Sequence, residues 1–261
     1  IIVSLVGSEM CIRDSSKVEN MGRMFRGARY INQPLGDWNV SQVTSMLLMF
    51  FDSDFNQSIG SWDVSQVKDM EGMFSYATTF NQPIDTWSVS QVQYMDRMFY
   101  TATYFNQPIG DWTTSQVESM GSMFQNAASF NLPIDSWDVS QVQNMGRMFY
   151  SATFNQPLDS WDVSQVEYMN LMFENAYNFN QPIDSWDVSQ VESMGDMFQN
   201  ATSFNQPIDS WDVSKVKIMY EMFRNASAFN QCLSTWAEKT TGNYLDTYYM
   251  LYGTDCPNGI D

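Results

Sequence analysis

The chain of 261 residues contains no histidine and only 12 lysines and arginines against 30 aspartates and glutamates, a formal net charge of −18. A field of that sign repels phosphate backbones and anionic lipids, so we expect no nucleic-acid partner. No run of about 18 apolar residues occurs, so we also expect no membrane-spanning segment. Without histidine, and without a segment distinct enough to host a unique acid–base pair, the chain is not expected to be an enzyme.

Tryptophan gives the chain its period. Each of the nine tryptophans is separated from the next by 24 or 25 residues. They are Trp38, Trp62, Trp87, Trp112, Trp137, Trp161, Trp186, Trp211 and Trp236. A fixed period of this length is typical of a solenoid, in which each coil buries its apolar face against its neighbours. We predict one monomeric repeat domain of about nine coils over residues 16–236 and a C-terminal cap over residues 237–261.

One unit, residues 134–154, reads I-D-S-W-D-V-S-Q-V-Q-N-M-G-R-M-F-Y-S-A-T-F. Trp137 and Val139 are two residues apart, the spacing of one face of a strand. We therefore predict that D-S-W-D-V is a short parallel strand.

The rest of the unit changes period. Val142, Met145, Met148 and Phe149 fall at i, i+3, i+6 and i+7, which predicts a short helix with one apolar stripe. Ser140 is its expected N-cap, and in several coils a glutamate three residues later would complete a capping box. The helices are expected to end at residues that tolerate a left-handed backbone, for example Asn126, Asn175, Asn200, Asn225 and Gly27. The prediction is an α/β fold, a right-handed solenoid with one strand and one helix per coil. The alternative is an all-β solenoid in which V-x-x-M-x-x-M-F is extended.

Two repeated features predict how the coils cohere. The methionines of the M-x-x-M-F pairs share their stripe with Val and Phe, which favours core filling over an adaptable binding surface. The asparagine of F-N-Q-P recurs in every coil and is expected to tie one coil to the next, although it could also form a polar binding strip. This structural ladder consists of Asn32, Asn56, Asn81, Asn106, Asn131, Asn155, Asn180, Asn205 and Asn230.

Residues 1–15 share nothing with the repeat. Residues 5–14 resemble, position by position, the translated reading frame of a transposase-based sequencing adapter. We expect residues 1–15 to be a non-native artefact and exclude them from fold reasoning.

Two cysteines lie about one coil apart near the far end, Cys232 and Cys256. Residues one coil apart are about 4.8 Å from each other along a stack, within the range of a disulfide. We predict a disulfide between them that closes the cap in an oxidising compartment, with two free thiols as the alternative.

The repeat W-D-V-S-x-V-x-x-M-x-x-M-F-x-x-A-x-x-F-N-Q resembles the BspA-type leucine-rich-repeat surface proteins over nearly the whole chain. That resemblance implies a non-catalytic binding or adhesion scaffold, secreted or displayed at a cell surface, with no active site to carry over.

Two columns of aspartate flank the tryptophans and form the candidate binding face. They are Asp63, Asp138, Asp162, Asp187 and Asp212 after tryptophan, and Asp85, Asp135, Asp159, Asp184 and Asp209 before it. An acidic, extended face suits an unknown protein or glycan partner, including a basic one. The same residues also favour turns and solubility, which is the simpler explanation. The alternative function is divalent-cation binding, with calcium as the only cofactor considered, because stacked like charges repel unless neutralised.

Overall fold

The computed structural model describes residues 17–240 and 245–255. Isolated parallel bridges join one residue of each coil to the equivalent residue of the next. This bridge column consists of Asn20, Ser45, Asp69, Tyr94, Ser119, Asn144, Tyr168, Ser193, Ile218 and Asp246. The chain is therefore a stack of coils whose backbones bond to the coils before and after them.

The prediction of one helix per coil is wrong. Within residues 17–240 and 245–255 the only helix is α1, Trp236–Lys239. In the segment expected to be helical, the N–H groups of Ser122 and Phe124 donate to the carbonyls of Gly146 and Met148, at 2.8 and 2.9 Å. These bonds run to the next coil, whereas a helix would direct them four residues back along its own chain.

Each M-x-x-M and F-x-x-A segment is a tight turn. The Met123 N–H donates to the Met120 carbonyl at 3.2 Å, and the following turn closes in the same way at 3.0 Å. The third residue of each turn, Ser122 or Asn126, has a φ of 58°. A type II turn requires this positive φ at its third position. An apolar residue at i and i+3 is common to such turns and to helices, which is why the spacing was misleading.

The predicted strand is also wrong. The Trp137 N–H donates to the Ile134 carbonyl at 3.1 Å, and the Val142 N–H donates to the Val139 carbonyl at 2.9 Å. I-D-S-W and V-S-Q-V are therefore two further turns, and their adjacent ends place Trp137 and Val139 in the core. The all-β alternative fails as well, because the described chain has isolated bridges and no regular strand.

Ser140 does not cap a helix. Its hydroxyl and its N–H both donate to Oδ1 of Asp138, at 2.7 and 3.1 Å. This is an Asx turn, in which a side chain satisfies the backbone two residues on.

The core consists of residue columns that run through the stack. Every methionine of the M-x-x-M-F motif is buried except Met24, which is 44% exposed in the first coil, so the core assignment is confirmed. The Phe rings of that motif stack on one another, as at Phe124 and Phe149 with centroids 5.8 Å apart. The indoles form a parallel column, as at Trp112 and Trp137, 6.3 Å apart.

The far end differs from the other coils. Residues 245–255 pair with the ninth coil, since the Glu221 and Phe223 N–H groups donate to the carbonyls of Tyr248 and Met250 at 2.8 and 2.9 Å. Nζ of Lys239, the last residue of α1, donates to backbone carbonyls of residues 209–211. The predicted disulfide and the proposed artefact segment are not tested, because Cys256 and residues 1–15 lie outside the described residues. Cys232 is exposed.

Candidate binding face

The tandem turns leave their middle residues outside the core. We define the turn face as the two middle residues of each M-x-x-M and F-x-x-A turn together with the bridge column. Several of its aromatic residues are exposed, including Tyr94 at 43% and Tyr168 at 44%. The turn face is the part of the surface whose chemistry changes most from coil to coil.

A second group of outward positions hardly changes. The segment F-N-Q-P-I-D-S-W-D-V-S-Q-V recurs with few substitutions. At the residue after the first methionine, by contrast, successive coils carry Gly, Leu, Glu, Asp, Gly, Gly, Asn, Gly and Tyr. The next position carries Arg, Leu, Gly, Arg, Ser, Arg, Leu, Asp and Glu. The variable residues are therefore contiguous in each coil.

A central depression of about 440 Å³ opens on the turn face. It is lined by Glu71, Asp96, Arg97, Gly121, Ser122, Asn144, Gly146, Arg147, Tyr168 and Asn170. Arg97 and Arg147 occupy the same turn position two coils apart, and the coil between them has Ser122 there, only 9% exposed. The depression exists because a coil with two small residues lies between two coils with long ones.

Hydrogen bonds fix the floor of the central depression. The Ser119 hydroxyl donates to Asp96 Oδ1 at 2.7 Å, and Asn144 Nδ2 donates to the Ser119 hydroxyl at 3.4 Å. The Gly121 N–H also donates to Asp96 Oδ1, at 3.1 Å. A Cβ at Gly121 would lie 2.8 Å from both Asp96 Oδ1 and Asn144 Nδ2, so a larger residue would displace these two side-chain ends. The polar floor is thus held in place before any ligand binds.

An aromatic depression of about 380 Å³ adjoins the first and shares Arg97, Ser122 and Arg147 with it. Its aromatic wall contains Phe51, Tyr76 and Tyr100. The Phe51 and Tyr76 rings are 5.4 Å apart and nearly perpendicular, and Tyr76 and Tyr100 are 5.0 Å apart. The two arginines are therefore bordered by tyrosine on one side and by carboxylates and amides on the other.

Arg97 and Arg147 are isolated positive charges in an acidic part of the chain. Arg97 and Arg147 are the only basic residues between Lys68 and Lys215. Both are exposed, and neither guanidinium group forms a hydrogen bond or ion pair with a residue that the structure describes. By contrast, Arg224 Nη1 contacts Glu221 Oε2 at 2.8 Å. The guanidinium groups of Arg97 and Arg147 therefore keep their donors available.

Carboxylates of the turn face are partly desolvated. Burial, followed by the nearby Asp196 carboxylate, raises the pKa of Glu174 to about 7. Burial likewise raises the pKa of Asp196. Gln199 Nε2 donates to Asp196 Oδ1 and to Glu221 Oε2, at 2.8 and 2.6 Å. Hydrogen bonds from Gln199 and the ion pair with Arg224 offset the cost of partly burying these carboxylates.

Burial is also the largest cause of the raised pKa of Glu71 at the central depression, with the Asp96 and Asp69 carboxylates next. The Arg97 guanidinium opposes that shift by favouring the charged carboxylate. Glu71 therefore combines with Arg97 to give this end of the depression both an acceptor and a donor.

The residues of the predicted aspartate columns form hydrogen bonds within turns and between coils. In the column after tryptophan, each Oδ1 accepts the N–H of the serine two residues on, at 3.0 or 3.1 Å. The serine bonds lower the pKa of Asp63 and of Asp212. In the column before tryptophan, the backbone carbonyls of Asp135, Asp159, Asp184 and Asp209 accept a hydroxyl of the next coil, as from Ser160 to Asp135 at 2.6 Å. Most of these side chains remain exposed.

Within the described residues, no group of three or more Asp, Glu or Cys side chains is placed to hold a metal ion. The aspartate columns are thus in register along the stack, but they do not converge on a common point. No observation favours the calcium alternative.

The structure places the nine asparagines of the ladder in one column. The Oδ1 of each asparagine before Asn230 accepts the backbone N–H of the next asparagine, at 2.8 to 3.3 Å. The following glutamine reinforces most steps, as where Gln181 Nε2 donates to Asn155 Oδ1 at 3.0 Å. These amides are occupied by bonds between coils.

Sequence reasoning missed the turn face. The available signal was that the only two basic residues in the middle of the chain both stand two residues after a methionine. This signal did not indicate a site because, on the predicted helix, these positions would lie on the solvent-exposed face, where arginine is common.

The register of the bridges and the repeated turns define a tandem-repeat protein. The model of a family described as "Mycoplasma protein of unknown function, DUF285" matches residues 8–102, 82–177 and 151–258. Since these matches cover most of the chain, the protein belongs to that family.

No curated protein matches the chain. Among solved structures, an internalin from Listeria monocytogenes is similar at 8% identity, covers 77% of this chain and 82% of its own, and has a TM-score of 0.18. A score that low carries no argument about fold or binding. In the part of the chain that the structure describes, no helix has the length and apolar character needed to span a membrane.

Proposed function

We propose that this protein is a non-catalytic binding scaffold, secreted or displayed at a cell surface, that holds a protein or glycan partner on its turn face. The observation that carries the proposal is the contrast between outward positions. Those that repeat are largely occupied by bonds between coils or within turns, whereas those that vary include exposed tyrosines and the unpaired guanidinium groups of Arg97 and Arg147 on one surface. The resemblance to BspA-type surface proteins supports the same function.

The chemistry of the turn face suits recognition. Tyr, Ser, Asn and Gly with a few Arg is the composition that antibody paratopes use, because tyrosine gives rigid contact area and the small polar residues adapt their hydrogen bonds. Tyr and Arg also dominate the energetic hot spots of interfaces. Tyr76 and Tyr168 are 42% and 44% exposed, so both can contact a partner without rearrangement.

The aspartate columns have a supporting role in this proposal. Their carboxylates keep the stack soluble and repel polyanions at a distance. The partner itself is held elsewhere, on the turn face.

The experiment is a binding screen of the full chain against immobilised extracellular proteins and an oligosaccharide array. The test variant is Tyr76→Ser with Tyr168→Ser. The matched control is Gln116→Ser with Gln141→Ser, two exposed glutamines whose side chains donate only to the adjacent serine carbonyl. We expect the tyrosine variant to lose binding and the glutamine variant to keep it. No binding in the screen, or equal binding by both variants, would overturn the proposal.

A further inference from the structure

Arg97 and Arg147 form a matched pair of unpaired cations in an otherwise acidic region. Both follow the first methionine of their coil by two residues, with φ of 55° and 59°. Two steps of a parallel stack at about 4.8 Å place equivalent backbone positions roughly 10 Å apart. The pair thus forms two donor groups on the two sides of one concave site.

Arginine is well suited to this position because its planar guanidinium binds a carboxylate through two parallel hydrogen bonds. A positive φ is unfavourable for a non-glycine residue, and glycine would remove that cost, as Gly72 does at the equivalent turn. The fold therefore does not require arginine here. The side chains face a depression of about 440 Å³, within the usual size range of ligand sites.

The rest of the lining restricts the ligand further. Asp96 and Glu71 provide carboxylate acceptors, and Asn144 and Asn170 provide amides that both donate and accept. Sugar hydroxyl groups also donate and accept, so they match this set, while the exposed Tyr168 ring offers an apolar surface for the face of a sugar ring.

A peptide matches the site less well. The lining of the central depression includes no Leu, Ile, Val or Met side chain to receive apolar residues. The Ser122 N–H is bonded to the next coil, so an extended peptide cannot use it to pair as an added strand. A densely charged polyanion is also disfavoured, because the whole chain carries a net charge of −18.

We propose that the central depression binds an acidic oligosaccharide, with Arg97 and Arg147 each holding one carboxylate and with Asp96, Asn144 and Asn170 holding ring hydroxyls. This inference rests on the proposed function and specifies its ligand class. The two guanidinium groups favour ligands that carry carboxylates, and the polar floor of the depression favours ligands that carry hydroxyl groups.

The probe is a trisaccharide of galacturonic acid, titrated calorimetrically into the full chain at low and at physiological ionic strength. We expect binding that weakens with salt and falls at least tenfold in Arg97→Gln and in Arg147→Gln, because each loses one charge-assisted contact. Arg23→Gln is the matched control. Arg23 occupies the same turn position with φ of 61° in the first coil but does not line the depression, so this variant makes the same charge change without removing a lining donor. It should bind like the wild type.

Two further ligands separate the contribution of the ligand's carboxylates from that of its hydroxyl groups. A neutral galactose trisaccharide should bind at least tenfold more weakly, and a triglutamate peptide should bind more weakly than the acidic sugar. Equal binding of the neutral sugar, tighter binding of the peptide, or unchanged affinity in both arginine variants would overturn the inference. If none of these ligands binds while the screened partner still depends on Tyr76 and Tyr168, the inference fails and the proposed function stands.

Discussion

Nε1 of Trp137 donates to the backbone carbonyl of Ile109 in the preceding coil, at 2.9 Å. The same bond recurs along the column, as between Trp186 and Leu158, also at 2.9 Å. Each indole therefore packs in the core and also ties its coil to the one before it. A single residue type supplies both the hydrophobic cohesion and the register of the stack.

Trp137→Phe should destabilise the stack by about 1–3 kcal/mol, because the Ile109 carbonyl loses its buried donor while most of the ring volume is kept. Trp236→Phe is the control, since Nε1 of Trp236 is buried without a partner among the described residues. Calorimetric unfolding should show a clear loss for the first variant and little or none for the second. Equal losses would mean that the indole acts through packing alone.

Gly27→Ala tests the left-handed backbone conformation of the F-x-x-A turn in the first coil. Gly27 has a φ of 70° and no atom within 4 Å of an added Cβ, so only the backbone conformation matters there. Alanine should cost about 1 kcal/mol, because a Cβ is disfavoured in the left-handed conformation. Gly27→Asn should cost less, because asparagine tolerates this conformation. An alanine variant that is as stable as the wild type in urea unfolding would show that the left-handed conformation at Gly27 carries no cost.

Asn155→Ala should destabilise the centre of the ladder by about 1–3 kcal/mol, because the Asn180 N–H and the Gln181 amide both lose their acceptor. Asn155→Asp keeps an oxygen at that position and should cost less. Hydrogen exchange can locate the effect, because the stability of a stack is roughly the sum of contributions from each coil and each interface between coils. The amides near residue 180 should therefore lose protection first. Unchanged protection of those amides would show that the ladder contributes no net stability.

Glu174→Gln should stabilise the protein in a pH-dependent way. The pKa of Glu174 rises from 4.5 to about 7 on folding, so the folded state binds the extra proton and stability falls as pH increases through that window. The variant should gain on the order of 1 kcal/mol above pH 7, after allowance for solvent screening, and almost nothing below about pH 4.5.

Glu167→Gln is the control for the charge change, because this glutamate is exposed in the same coil. Melting temperatures at pH 5 and pH 8 are sufficient for the comparison. A stabilisation by Glu174→Gln that is equal at both pH values would show that burial of this carboxyl is not its cause.

The sequence by itself determined the period, the number of coils and the residues of the core, because burial of Trp, Phe and Met depends on their spacing and hardly on the backbone between them. The recurring asparagine was likewise visible, since only stacking gives nine identical amides a common role. The local conformation was not determined. An i, i+3 pattern of apolar residues fits one helical stripe and a series of tight turns equally well.

Tertiary structure decided between those two conformations. When neighbouring coils lie in register, the N–H groups of Ser122 and Phe124 donate to carbonyls of the next coil. These bonds replace the hydrogen bonds that a helix would supply. They also offset the cost of the left-handed residue in each turn. Stacking also decided the candidate site. Arg97 and Arg147 are 50 positions apart in the sequence, and only the coil spacing brings them to the two sides of one depression. That convergence depends on contacts between coils, which no single repeat contains.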